Sequence, residues 1–78
     1  MGNRKVDLHY LNYEEARWRV IRFIEEHWGD KSELEIITGN SKERQEMVIN
    51  ILREYNLDYQ IGRAYDLNNK GYIVTWTE

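Results

Sequence analysis

Two short segments hold residues suited to phosphodiester chemistry: Val6-Asp7-Leu8-His9-Tyr10 and, further along, Thr38-Gly39-Asn40-Ser41-Lys42. Imidazole takes and gives protons near neutral pH, and a carboxylate such as Asp7 can orient it or accept a proton in turn. A glycine turn that opens a helix presents free N–H groups and the positive end of the helix dipole, which suits a phosphate. Gly39, Asn40, Ser41 and Lys42 form such an opening. Lys42 and Arg44 also place cations in a first helical turn, where the dipole slightly disfavours them and a bound anion would compensate. Asp7 and His9 are thus the candidate catalytic pair, and Gly39, Asn40, Ser41, Lys42 and Arg44 the candidate nucleic-acid contacts.

Each residue also has a plainer role open to it. His9 suits a hydrogen-bonded strand end, Asp7 the wet face of a strand, and Gly39 a tight turn. Other chemistries have less support. The chain has no cysteine, and His9 and His27 would need added carboxylates to hold a metal. Neither Ser32 nor Ser41 sits in a nucleophile elbow. No metal site is assigned, and a cofactor or divalent-metal requirement stays open.

The elements that must position these residues follow from periodicity. Val6 and Leu8 alternate with Asp7 and His9, which predicts a strand over about Lys5 to Tyr10. Asn12 and Glu15 fit a capping box, and Tyr13, Ala16, Val20, Phe23, Ile24 and Trp28 form one apolar helical stripe, stopped by Gly29. Leu34 to Thr38 reads as a central strand, parallel to the first through a right-handed crossover. Gly39 then turns the chain into a second helix, with Asn40 and Glu43 offering another box and Met47, Val48, Ile51, Leu52 and Tyr55 its stripe. Asn56 to Asp58 ends it. Tyr59 to Asp66 and Tyr72 to Thr77 form an antiparallel hairpin around Leu67 to Gly71.

The resulting order is βαβαββ, an α/β two-layer sandwich with a mixed four-stranded sheet and two helices on one face. Ile37 and part of the hairpin should lie on the more open face. Parallel strands one and two bring their C-terminal ends together, where ligands of open α/β sheets bind, so the topology gathers the two segments.

At 78 residues there is room for one core, and the chain is read as a single domain over residues 1–78. Three Trp and six Tyr give such a core much apolar area, with most of the tyrosines expected in the core or at its edge. The absence of cysteine gives no sign of an oxidising compartment, and no apolar run approaches a membrane span. A cytoplasmic protein is expected. The net charge of −3 opposes polyanion binding on average, so any nucleic-acid contact must rest on where Lys and Arg cluster.

The segments VDLHY and ITGNS and the late NKGYIVTWT together resemble the small MutS-related (Smr) domain family across essentially the whole chain. Val6, Asp7, Leu8 and His9 match that family's LDLH residues, with Tyr10 where a glycine is usual. Thr38, Gly39 and Asn40 match the first three residues of its TGxG loop, with Ser41 in place of the second glycine, and Gly71 matches its late glycine. The resemblance implies a sandwich similar to the C-terminal domain of a bacterial translation initiation factor. It also implies binding of structured or branched DNA or RNA and endonuclease activity, with Asp7, His9 and the glycine loop implicated. A noncatalytic interaction module is the alternative. No membrane partner is expected, and the chain is read as a monomer or weak homodimer.

Overall fold

The computed structural model describes residues 4–63 and 71–77. The elements run β1 (Lys5–Asp7), α1 (Tyr13–Glu26), β2 (Glu33–Ile37), α2 (Lys42–Glu54), β3 (Tyr59–Ile61) and β4 (Tyr72–Trp76). The strands form one mixed sheet in the order β1-β2-β4-β3, with β1 parallel to β2 and both other pairs antiparallel. The expected βαβαββ order and mixed sheet are therefore present, and β2 is central.

Side chains alternate across the sheet, so the register assigns its faces. Val6 pairs with Ile36, Ile36 with Ile73, and Leu34 with Thr75. Val6, Leu34, Ile36 and Ile73 join Ala16, Val20, Phe23 and Ile24 of α1 and Met47, Val48, Ile51 and Leu52 of α2 in one buried cluster. Both helices thus cover the same face. On the other face Ile37 is half-buried. There Arg63 pairs with Glu33, and with Glu35 at 2.9 Å, while its guanidinium lies 5.4 Å from the centre of the Tyr72 ring. These hydrogen bonds, the Glu35 one foremost, push the Arg63 pKa up.

Local chemistry sets the element ends. At α1 the capping box is complete: Asn12 Oδ1 accepts from the Glu15 amide at 2.8 Å and Glu15 Oε1 from the Asn12 amide at 3.1 Å. The core stripe departs from expectation. Tyr13 and Trp28 are exposed, and the buried line passes through Ala16, Val20, Phe23 and Ile24 to His27. The helix ends at Glu26, and His27, its C-cap, has left helical dihedrals at φ −108° and ψ 12°. The four-residue spacing from Ile24 therefore no longer directs Trp28 inward, and His27 fills the inner side. Gly29 does adopt a positive φ, +83°.

Helix α2 ends in a Schellman motif. Asn56 takes φ +57°, its amide donates to Arg53 O at 3.0 Å, and the Leu57 amide donates to Leu52 O at 2.9 Å. Strand β3 stops at Ile61, because Gly62 enters the left-handed region at φ +68°. The strand expected to run to Asp66 is thus shorter, with Gly62 and Arg63 outside it; residues 64–66 and the turn expected at Leu67 to Lys70 lie outside the described residues.

Candidate functional site

The first strand is shorter than the alternation of Val6 to Tyr10 predicts. Leu8 still donates to Ile37 O at 2.9 Å, but Asp7 Oδ1 then accepts the His9 amide at 2.9 Å and Leu11 donates to Leu8 O at 3.2 Å. The aspartate captures the backbone donor that a continuing strand would need, and the chain turns. Asp7 and His9 are both exposed, whereas Val6 and Leu8 are buried.

The second segment differs by one residue from its expected form. Ser41, not Asn40, is the N-cap of α2; its hydroxyl accepts the Arg44 amide at 3.2 Å. Position N3 is then Arg44 rather than Glu43, so no reciprocal capping box forms. Gly39 sets this register. Its φ of +67° is the left-handed conformation expected of the turn, and Asn40 is spent completing the bend before the helix. The Thr38 and Gly39 amides both donate to Gly71 O at 3.0 Å, which ties the loop to the start of β4. The Gly39 N–H is therefore committed, and the amides of Lys42 and Glu43, at the first two helical positions, are the ones that point out of the helix end.

The topology brings the two segments together. A Cβ on Gly39 would lie 3.6 Å from His9 Nδ1, so the imidazole rests against the glycine loop. Arg44 Nη1 donates to Leu8 O at 3.0 Å, joining α2 to the end of β1. The members of the proposed phosphate cradle divide between two flanks. Arg44 reaches toward β1, while Asn40 and Lys42 line a cleft of about 260 Å³ with Gln45 and Ile61. Ser41 and Arg44 thus both have structural roles, and Lys42 is the exposed cation.

Asp7 does not hold the His9 ring. Its carboxylate binds the His9 main chain, and among the described residues no hydrogen bond joins it to the imidazole. The carboxylate fixes the turn that presents His9. His9 and His27 stand at opposite ends of the fold, so they form no metal pair; among the described residues no three His, Asp or Glu side chains converge as a metal site.

Tyr55, Tyr59 and Tyr72 lie in the core or at its edge, as expected of most of the tyrosines, but Tyr10 does not. It is 90% exposed, and its ring meets that of His9 edge-on at 5.0 Å. An aromatic beside an exposed imidazole offers a stacking surface for an unpaired base. The signal for it was the aromatic residue standing where the Smr pattern has glycine. No described helix is long and apolar enough to cross a membrane.

Comparison with protein-family models, with curated proteins and with solved structures finds no match to this chain.

Proposed function

We propose that this chain is an Smr-like domain that binds structured or branched DNA or RNA at the joined ends of β1 and β2. In this reading phosphate lies by the first turn of α2, near Lys42, and an unpaired base stacks on Tyr10. The observation that carries it is the contact of His9 with the Gly39 loop. It puts a proton-transfer group beside a helix end that favours anions. The two-layer form also agrees with the sandwich, similar to an initiation-factor domain, that the Smr resemblance implies.

In the endonuclease form of this function His9 acts as the general acid or base on the scissile phosphodiester, and Asp7 acts through the turn that places it. One observation favours a second form, binding without cleavage: the Asp7 carboxylate is bonded to main chain instead of the imidazole. The two forms separate in one experiment. Wild type, His9→Ala and Asp7→Asn are incubated with single-stranded, duplex and branched DNA and RNA, with and without divalent metal, and both binding and cleavage are followed. Cleavage by wild type that His9→Ala removes supports the endonuclease; binding with no cleavage supports the module; neither binding nor cleavage overturns both.

A further inference from the structure

At the end of the sheet away from Gly39 lies a cleft of about 400 Å³, lined by Trp28, Tyr55, Asn56, Leu57, Asp58 and Trp76. The pairing of Glu33 with Trp76 sets this end. Trp28 and Trp76 remain 49% and 37% exposed, although both are large enough to contribute to a core.

The walls are fixed. The Tyr55 ring lies 5.6 Å from that of Trp28, and its hydroxyl donates to Glu25 Oε2 at 2.6 Å. Asn56 and Leu57 belong to the Schellman motif that closes α2, and Thr75 Oγ1 donates to Asp58 O at 2.6 Å. A cleft built this way is present before any ligand arrives, which lowers the cost of binding.

Its charge selects the ligand. The hydrogen bond to Glu25 raises the Tyr55 pKa, with burial and the charges of Glu25 and Glu54 adding to the effect. Asp58 lines the cleft, and its carboxylate has no partner among the described residues. Of the neighbouring cations, Arg53 reaches the Tyr59 hydroxyl at 3.5 Å, and Lys31 is exposed beyond Asp30, whose carboxylate is bonded to His27. Aromatic walls with carboxylates about them repel a polyanion and attract a cation.

We propose that this cleft receives a cationic side chain, arginine or lysine, from a partner polypeptide, held against Trp28, Tyr55 and Trp76 and paired with Asp58. The surface is separate from the nucleic-acid site and does not depend on it.

The three tryptophans allow a test on the intact chain. Trp18 lines a different surface, with Leu11, Glu14 and Arg22, so its indole N–H is an internal reference. Indole N–H resonances are followed while a short arginine-containing peptide, the same peptide with citrulline, and a pyrimidine oligonucleotide are added in turn. Saturable shifts of Trp28 and Trp76 with a still Trp18 are expected for the arginine peptide, with binding of the citrulline peptide weaker by about ten-fold. Asp58→Asn, a change at an exposed position, should weaken the arginine peptide by about five-fold. Equal binding of the citrulline peptide, parallel movement of all three indoles, no movement, an unchanged Asp58→Asn affinity, or a Trp28 and Trp76 response to the oligonucleotide alone would each overturn the proposal.

Discussion

His9 and His27 are the same residue at opposite ends of one sheet, and the fold treats them differently. His27 is 7% exposed; its Nδ1 lies 3.0 Å from Asp30 Oδ2, its ring meets Phe23 edge-on, and its carbonyl accepts the Thr77 hydroxyl. His9 is exposed, and its ring touches Tyr10 and the Gly39 loop. In both places an aspartate stands near the histidine, but Asp30 binds the ring and Asp7 the main chain. A ring held by burial and a carboxylate serves the fold, whereas the His9 ring, with no carboxylate on it among the described residues, stays exposed.

Four changes sharpen or break this contrast. The largest effect is expected from His9→Ala, which in the endonuclease form lowers cleavage on the order of 100-fold while altering stability by less than about 0.5 kcal/mol. Strand-cleavage rates and denaturant midpoints read the two quantities. A large stability loss would place His9 with His27. The converse is expected of His27→Ala, a loss of about 1–3 kcal/mol in urea unfolding with nucleic-acid binding retained by the folded protein. An unchanged midpoint would remove the structural role given to that ring.

Gly39→Ala tests the loop. An added Cβ meets His9 at ordinary contact distance, so the cost is that of φ +67° alone, about 1–2 kcal/mol in thermal or urea unfolding. The imidazole NMR signals of His9 should shift in this variant and those of His27 should not. The smallest effect is alkaline. Tyr55 has a raised pKa, chiefly through its hydrogen bond to Glu25, so above the ordinary tyrosine range near 10 the folded state keeps a proton that the unfolded state has lost. That contribution is present at lower pH and fades as pH rises through the folded pKa. Tyr55→Phe should therefore flatten the decline of stability on the alkaline side, as urea midpoints across that range would show; an unchanged decline would contradict it.

The same contrast explains what could be read from sequence. The Asn12–Glu15 box was legible because both halves are local and only one residue suits the cap. The second cap was not, because Asn40 and Ser41 are adjacent and each can serve; the conformation of Gly39 and its amide bond to Gly71 decide between them. The meeting of the VDLH end with the glycine loop was legible, since parallel pairing of β1 and β2 brings it about. Strand β1 was read too long because hydropathy does not register a side-chain acceptor taking a backbone donor, as Asp7 does. Trp28 was placed in the core by its helical spacing from Ile24, but the helix ends at Glu26, so that spacing does not reach it and His27 is buried instead. The aromatic cleft stayed hidden because Trp28, Tyr55 and Trp76 come together only through long-range packing.

Nucleic-acid binding at the β1 and β2 end is tested most directly by the salt dependence of affinity for a branched duplex. Log affinity should fall linearly with log salt, and Lys42→Ala should make that slope shallower by about one, the counterion released by a single phosphate contact. Asp58→Asn, at the opposite end, should leave the slope as it is. Absence of binding, an affinity indifferent to salt, or a slope unaltered by Lys42→Ala would contradict it.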